Sequence, residues 1–212
     1  MSEGQGAALD PSKGKPFANP SLKRCGPWSE ASQLDQDYHD TEWGVPVHDD
    51  RTLFEMITLE GAQAGLSWRT ILARREHYRA AFHNFDITRV AAMTDDELHD
   101  VLTNSGVVRH RQKIASTRDN ASAVLTIIAE RGSLDAYLWS FVSNTPIIRR
   151  GPDESILTTS DFSKKLSREL TKYGLRFVGS TICYALMQAI GMVNDHRFSC
   201  FRHPDNAPPN MT

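Results

Sequence analysis

The chain has 212 residues, of which 40% are apolar, and a formal net charge of −2 at pH 7. This length allows one sizeable hydrophobic core, and no run of about 18 apolar residues is present that would predict a membrane span. A general polyanion binder is usually basic overall, so the bulk charge gives no hint of a nucleic-acid partner.

The two ends of the chain differ in composition from the rest. Residues 1–22 are rich in Gly, Pro, Ser and Lys and lack the apolar core of a signal peptide, which predicts a disordered extension. Residues 204–212 are expected to form a flexible tail, and residues 23–203 to form a single compact unit. The three widely spread cysteines do not make a disulfide framework. A reducing compartment is therefore favoured, and we expect a cytoplasmic protein.

Helical periodicity dominates residues 23–203, and almost no segment is typical of a strand. A first helix is predicted from a cap at Asp49 or Asp50 to about Gly61. A second is expected to run through residues 66–82, with Ser67 as its possible cap. Residues 144–160 are predicted to be a long loop, which leaves an all-α fold class. The remaining predicted helices cover 86–93, 94–103 with a Thr94–Glu97 capping box, 111–130 with a stop at Gly132, 133–142, 161–173 between Ser160 and Gly174, and 179–193.

A carboxylate lies on the apolar face of the first predicted helix. Leu53, Ile57 and Ala64 recur at helical spacing. At about 100° per residue, the seven steps from Leu53 bring Glu60 to within about 20° of the same direction. Burying an unpaired charge is costly, so Glu60 is either a satisfied core acid or a group that serves a binding pocket.

Four potential metal ligands lie near the two ends of the compact unit. His196 and Cys200 are four residues apart, which would place them on one face of a helical turn, and Cys25 and His39 lie near the start. Two Cys and two His suit a closed tetrahedral zinc site, which would join the N- and C-terminal segments. The alternative is that the cysteines are small buried hydrophobes and the histidines ordinary polar residues. Cys183, within an apolar helix, is interpreted as a core residue.

The segment 95–116 predicts two helices joined by a tight turn at Gly106. Arg109, His110, Arg111 and Lys113 follow the turn without an acid among them. Backbone N–H groups at the start of the second helix could hold a phosphate, and the cations would attract a DNA backbone. The alternative is a surface turn with a solvated basic helix start, although basic residues there oppose the helix dipole.

Aromatic side chains are concentrated in the first third of the chain. Four aromatics near a carboxylate would suit a flat heterocycle, because the rings stack on it and the carboxylate accepts hydrogen bonds from its N–H groups. Core packing is the alternative and must explain some of them. The four are Trp28, Tyr38, Trp43 and Trp68, whereas Trp139 is interpreted as a core residue.

Several long motifs together resemble a known family. The segments RCGPWS, YHDTEWGVP, LFEMITLEGAQAGLSW, GVVRHRQKI and FVGSTICYALMQAIGMVNDH, with the final His-x-x-x-Cys, are similar to DNA-3-methyladenine glycosylase I, a member of the helix-hairpin-helix superfamily of DNA glycosylases. The resemblance covers about residues 23–203. It implies two helical lobes with a base pocket between them, and it identifies the turn at Gly106 as the DNA-binding hairpin.

The resemblance also implies roles for individual residues. The base-recognising, catalytic carboxylate falls on Glu60 and the duplex-inserting residues on Gly65 and Leu66. The structural zinc ligands fall on Cys25, His39, His196 and Cys200; the pocket aromatics on Trp28, Tyr38, Trp43 and Trp68; and the hairpin contacts to DNA on Gly106, Val107, Arg109 and Arg111.

Two departures from the family pattern concern the pocket. Pro27 is an insertion between Cys25 and Trp28, which is expected to shift Trp28. Asp35 stands where the family commonly has another pocket tyrosine, so one wall is expected to be more open or to be filled from elsewhere.

The function implied is excision of 3-methyladenine from alkylated double-stranded DNA by a monomeric, monofunctional glycosylase without strand cleavage. The enzyme must flip the base out of the stack and hold it, but the base is cationic and needs no general acid to leave. An alternative of another class is a lesion-binding protein on the same fold with weak catalysis, for which Asp35 would be the visible defect. A zinc hydrolase or deaminase would need a tighter ligand motif with an adjacent Glu, which the sequence lacks.

Overall fold

The structure is a computed structural model that describes residues 22–149 and 157–206. The predicted N-terminal extension and C-terminal tail therefore lie almost entirely outside the described residues. At their inner edges, Leu22 packs beside Cys25 and Cys200, and residues 204–206 are exposed. No helix in the described ranges combines the length and apolarity that a bilayer crossing requires.

Helices make up most of the described chain, in agreement with the predicted class. Three short 3₁₀ turns occupy Pro27–Glu30, His83–Phe85 and Ser140–Val142. The helices in chain order are α1 (Gln33–Thr41), α2 (Asp50–Gln63), α3 (Trp68–Leu72), α4 (Arg75–Ala81), α5 (Ile87–Ala91), α6 (Asp95–Asn104), α7 (Arg111–Arg131), α8 (Leu134–Trp139), α9 (Asp161–Lys172) and α10 (Ser180–Ala189).

The predicted helix starts are confirmed where a side chain caps the first turn. Asp49 accepts a hydrogen bond from the backbone N–H of Thr52 and so begins α2. Thr94 and Glu97 form the predicted capping box of α6. Ser67 and Ser160 cap α3 and α9. Each cap supplies an acceptor to an N–H group that the helix itself leaves unpaired.

The local structure departs from the prediction at several positions. The single helix predicted over residues 66–82 is divided into α3 and α4 by a break at Ala73 and Arg74. The break contains neither Gly nor Pro, so tertiary contacts rather than local propensity decide it. The polar helix α1 was not predicted, because it lacks a clear apolar stripe. His196 and Cys200 lie in a turn rather than on a helix.

A short parallel sheet interrupts the helical pattern. Strand β1 (Ile147–Ile148) pairs with β2 (Val193–Asn194), with Ile147 opposite Val193. The first strand falls in the predicted loop and the second at the end of a predicted helix, which stops at Ala189. The pairing sets the course of the chain as it leaves α10 and approaches His196.

Helix α2 lies at the centre of the main core. Every residue from Leu53 to Ala62 is buried, and the helix packs against α3, α7, α8 and α10. Phe54 contacts Phe85, and both rings are fully buried. A helix that is enclosed all round offers no solvent to its polar side chains, so each must be satisfied internally or serve another purpose.

Candidate active site and metal centre

Two buried glutamates of α2 have opposite surroundings. Glu55 is held by the Arg75 guanidinium at 2.5 Å and by the Arg79 guanidinium at 2.9 Å, both to Oε1. Glu60, only 3% exposed, has an Oε2 atom for which no hydrogen-bond partner is found in the described chain. Glu55 therefore behaves as a core acid, and Glu60 does not.

Burial dominates the electrostatics around Glu60. Desolvation raises the pKa of this carboxyl group to about 8. Burial, and then the nearby Glu60 charge, raise the pKa of Tyr38 well above its usual value, which places the phenol close to the carboxylate. Burial thus disfavours the ionised form of Glu60, and a cationic group beside the carboxylate would favour it.

The four predicted pocket aromatics form two pairs. Tyr38 packs against Trp68 with 5.2 Å between ring centroids, and the Trp68 indole N–H is buried without a partner in the described chain. Trp28 meets Trp43 edge to face at 5.1 Å, and Trp43 lies 4.6 Å from the His196 ring. The first pair adjoins Glu60, and the second covers the candidate metal ligands.

The departure at Asp35 has a structural counterpart. Asp35 is buried and accepts hydrogen bonds from the Ser32 hydroxyl at 2.6 Å and from Arg69 Nε at 2.8 Å. Arg69 follows Trp68 directly, so an ion pair now joins α1 to α3 beside the ring pair. Of the two expectations for this wall, more open or filled from elsewhere, the Asp35–Arg69 pair fits the second. Pro27 opens the first 3₁₀ turn, which carries Trp28.

The four predicted metal ligands converge in space. All four are buried, and their ligand atoms lie within 4.8 Å of one another. The closest pairs of sulfur and nitrogen atoms are Cys25 Sγ to His196 Nδ1 at 3.3 Å, Cys200 Sγ to His196 Nδ1 at 3.5 Å, and Cys200 Sγ to His39 Nε2 at 3.5 Å. This arrangement could hold a metal ion.

A second layer of hydrogen bonds orients these ligands. The Nδ1 atom of His39 lies 2.8 Å from Asp40, whose carboxylate also accepts three hydrogen bonds from Arg24. The Nε2–H of His196 donates to the Trp43 carbonyl at 3.0 Å. Each imidazole therefore turns its other nitrogen toward the thiols, as metal-binding histidines do.

The two thiols cannot both ionise easily without a cation. Their mutual hydrogen bond, and then burial, raise the pKa of Cys25, while the same bond lowers that of Cys200. Backbone N–H groups of Arg197 and Arg202 donate to the two sulfurs at 3.3 and 3.4 Å. This donor set suits a positive ion between the sulfurs.

The predicted helix pair at Gly106 is present as α6 and α7. Gly106 has a φ of +77°, and a Cβ there would lie 2.6 Å from the His77 ring, so only glycine fits. His110 caps α7 by accepting from the Lys113 backbone N–H. The Val107 and Val108 N–H groups each have one long hydrogen bond of 3.4 Å, to the Ser105 and Tyr78 hydroxyls.

The cations after the turn do not all point outward. Arg111 is exposed, and Arg109 donates to the Thr103 carbonyl at 3.2 Å. Lys113, by contrast, reaches inward and donates to the carbonyls of Ala62 and Ala64. Its expected attraction to a DNA backbone is therefore not supported by the orientation of its ammonium.

Gly65 and Leu66 lie on a surface loop after α2. Gly65 has a φ of +81°, and Leu66 is 41% exposed although it is apolar. A depression of about 440 Å³ is lined by Leu66, Thr70, Arg74 and the turn residues 106–109. The loop and the helix pair thus face the same concave surface.

These features define a class of protein: a mostly helical fold with a buried, unpaired carboxyl group, an aromatic cluster, a concave surface and a separate Cys/His centre. A family model described as methyladenine glycosylase matches residues 28–203, and the chain belongs to this family. It is 46% identical over 188 residues to DNA-3-methyladenine glycosylase 1 of Escherichia coli strain K12. The matched region covers 88% of this chain and 100% of the relative. A Haemophilus influenzae DNA-3-methyladenine glycosylase is 46% identical over 178 residues, 84% of this chain and 96% of the relative.

Solved structures agree with this assignment. A crystal structure of 3-methyladenine DNA glycosylase I matches with a TM-score of 0.81 and 48% identity, over 86% of this chain and 100% of the other. The Staphylococcus aureus enzyme, solved to explain 3-methyladenine recognition, matches with a TM-score of 0.80 and 32% identity, over 84% of this chain and 98% of the other.

Several residues that support the candidate sites were not predicted from the sequence. Arg24 and Asp40 hold His39, and only the adjacency of Asp40 to His39 hinted at this. Arg75 and Arg79 neutralise Glu55, and their spacing of four residues on one helical face was the available signal.

Proposed function

We propose that this chain is a DNA glycosylase that flips 3-methyladenine out of alkylated DNA and hydrolyses its N-glycosidic bond, leaving an abasic site. The observation that carries the proposal is Glu60, a buried carboxyl group with an unpaired oxygen whose charge acts on the Tyr38 phenol, and Tyr38 in turn packs against Trp68. Its neighbour Glu55 is paired in the same helix, so an unpaired acid is not a general feature of this core. Family membership supports the choice of base.

The pocket chemistry follows from the charge of the lesion. 3-Methyladenine is cationic while attached to deoxyribose, so it is already a good leaving group. Glu60 would accept hydrogen bonds from its amino edge and balance its positive charge, while Tyr38 and Trp68 would stack on its π-face. We place Trp28 and Trp43 on the side of the pocket that adjoins the metal centre. The ionised carboxylate would also stabilise the cationic sugar that forms as the bond breaks.

DNA would bind across the concave surface. We interpret α6 and α7 as a helix-hairpin-helix element in which the N–H groups near Gly106 and Val107 exchange their long hydrogen bonds for a phosphate. Arg109 and Arg111 would add Coulomb attraction. Leu66, exposed and preceded by the flexible Gly65, would enter the stack and fill the space left by the flipped base.

The Cys/His centre is proposed to hold one structural Zn²⁺ ion. In a tetrahedral site with Zn–S near 2.3 Å and Zn–N near 2.0 Å, neighbouring sulfur and nitrogen atoms are about 3.5 Å apart. The observed separations of 3.3 to 3.5 Å fit this geometry. When bound, the ion would supply folding free energy rather than chemistry, because four protein ligands leave no position for water.

We further propose a monofunctional enzyme that acts as a monomer on double-stranded DNA in the cytoplasm, in two lobes with the pocket between them. No lysine is assigned as a nucleophile, so strand cleavage is not part of the proposed reaction. Strand breaks that appear in alkylated duplex DNA without alkali treatment would contradict a monofunctional reaction.

The experiment that tests the proposal is chromatography of the free bases released from methylated DNA. The protein is expected to release 3-methyladenine in proportion to time and enzyme. Tight binding to the lesion without release would instead indicate a lesion-binding protein, the alternative that the altered Asp35 wall suggests.

A further inference from the structure

Lys113 connects two parts of the molecule that are far apart in sequence. It lies in the first turn of α7, seven residues after Gly106, and its ammonium donates to the Ala62 carbonyl at 2.9 Å and to the Ala64 carbonyl at 2.6 Å. These carbonyls belong to the C-terminal end of α2, one turn beyond Glu60.

The ammonium satisfies groups that the helix leaves unpaired. The last carbonyls of a helix have no intrahelical partner and carry partial negative charge, which a lysine stabilises. Ala64 has already left the helix, with a φ of −45° and a ψ of 113°, and its carbonyl accepts from Lys113 at 2.6 Å. The next two residues are Gly65 and Leu66.

Surrounding residues hold Lys113 in this position. Its backbone N–H donates to the His110 ring that caps α7, and its ammonium lies 6.0 Å from the centre of the Phe177 ring. Phe177 in turn lies against α2, because a Cβ on Gly61 would come within 3.3 Å of it. Lys113 and Phe177 therefore connect the hairpin to the end of α2, just before the Leu66 loop.

We propose that Lys113 is a positioning residue that couples the hairpin to the Gly65–Leu66 loop, so that phosphate binding at the hairpin fixes where the apolar wedge enters the duplex. Lys113 does not touch DNA in this account. The inference rests on the proposed glycosylase function and adds a residue to it.

The substitution Lys113→Met removes the ammonium and keeps the apolar stem. Misplacing a wedge by about 1 Å can reduce a rate by about 100-fold, so we expect single-turnover excision from duplex to fall between 10-fold and about 100-fold. Excision from single-stranded DNA, which has no stack to open, should fall much less. The salt dependence of duplex affinity should stay unchanged, because no phosphate contact is lost.

Two matched variants separate this role from others. Arg111→Met removes one charge from the same turn and should lower the slope of log affinity against log salt by about 0.9. Lys172→Met, on the exposed side of α9, should change neither quantity. If Lys113→Met instead lowers the slope as Arg111→Met does, with the duplex rate intact, Lys113 binds phosphate and the proposal is wrong. An equal loss on both substrates indicates a purely structural role and also contradicts it.

A readout without substrate keeps the test independent of the proposed function. Amide hydrogen exchange should be faster at Leu66 in Lys113→Met, since the Leu66 N–H donates to the Gln63 carbonyl between the two carbonyls that Lys113 binds and the wedge. If the protein releases no methylated base but this loop loses protection, the proposed function fails and the coupling stands. If Lys113→Met does not fold, Lys113→Gln serves instead. Its amide is uncharged and ends one bond short of the ammonium, so faster exchange at Leu66 and slower duplex excision are still expected, and wild-type values for both would overturn the coupling.

Discussion

At the scale of single residues, the contrast between Glu55 and Glu60 is the basis of the functional argument. Both are buried in α2, but only Glu55 has cationic partners. An unpaired buried acid destabilises the protein on its own, so its retention calls for a ligand that compensates it. The helical periodicity alone predicted that Glu60 faces inward. The periodicity could not distinguish a core acid from a pocket acid. That distinction depends on whether cations from another helix reach the carboxylate, as Arg75 and Arg79 reach Glu55.

The raised pKa of Glu60 predicts a specific pH dependence of activity. Because burial raises this pKa to about 8, the free enzyme is mostly protonated at neutral pH. If the ionised form balances the cationic base, kcat/KM for excision should rise with pH and level off above about 8. Measuring initial rates on methylated duplex across this range tests the prediction. A rise of the same size in Glu60→Gln would assign the ionisation to another group.

The same pKa predicts how Glu60 affects folding. A raised pKa means that the folded state binds this proton more tightly than the unfolded state does. The contribution of this bound proton to the unfolding free energy is complete below pH 4.5 and is lost as the pH rises to about 8. The difference in unfolding free energy between Glu60→Gln and wild type should therefore shift in favour of the mutant across this window. Denaturant unfolding at several pH values measures it, and a constant difference would contradict the shift.

Leu66 is a residue whose exposure is itself informative. Replacing it with Ala should reduce excision from duplex more than from single strands, since filling the vacated stack offsets part of the few kcal/mol lost on unstacking. Thermal stability should change little, because the side chain is 41% exposed. Single-turnover rates on both substrates provide the comparison. Equal losses would indicate that Leu66 serves packing rather than the duplex.

At the scale of secondary-structure elements, the sequence was informative where a local signal existed. The caps of α2, α6 and α9 and the hairpin at Gly106 were predicted, because a side chain or a glycine sets each of them locally. The break between α3 and α4 was not predicted, because it depends on distant contacts. It allows Arg75 to reach both Glu42 and Glu55. The inward direction of the Lys113 side chain was not predicted either, because its acceptors lie at the end of α2, far away in the sequence.

The hairpin is predicted to bind DNA through charge and backbone rather than base sequence. Gly106→Val is a poor test, because the substitution would also clash with His77. Arg109→Ala with Arg111→Ala instead should lower the salt slope of affinity by up to about 1.8, for two phosphate contacts. The loss should be equal for unrelated duplex sequences, measured by fluorescence anisotropy. Unchanged affinity would mean that this turn does not contact DNA.

At the scale of the whole molecule, the Cys/His centre joins segments about 160 residues apart in sequence. Cys25 and His39 lie near the N-terminal side and His196 and Cys200 near the C-terminal side, and all are buried together. The residue types and the family resemblance predicted the set. The second layer of Arg24 and Asp40 emerged only from the structure, since no spacing rule indicated it.

Loss of one ligand should affect metal content and stability together. Cys200→Ala is expected to lose the bound zinc and to lower the thermal midpoint, while a core of this size should still allow folding. Metal analysis by mass spectrometry, with thermal unfolding on the same sample, measures both. Cys183→Ala is the matched control, because its buried thiol donates to the Val178 carbonyl and lies outside the centre. One zinc per chain retained in Cys200→Ala would remove Cys200 from the site.

We propose that Glu60 binds the lesion and does not stabilise the fold, and the substitution Glu60→Gln is the sharpest test of this role. The change keeps the size of the side chain and removes a buried ionisable group. Thermal midpoint and single-turnover excision of 3-methyladenine should be measured on one preparation, with Glu55→Gln as the control. We predict an equal or higher midpoint and a large loss of excision for Glu60→Gln, because an amide is a weaker acceptor toward a cationic base. The paired Glu55 should show the reverse, with a lower midpoint. A destabilised Glu60→Gln protein with full activity per folded molecule would contradict the account.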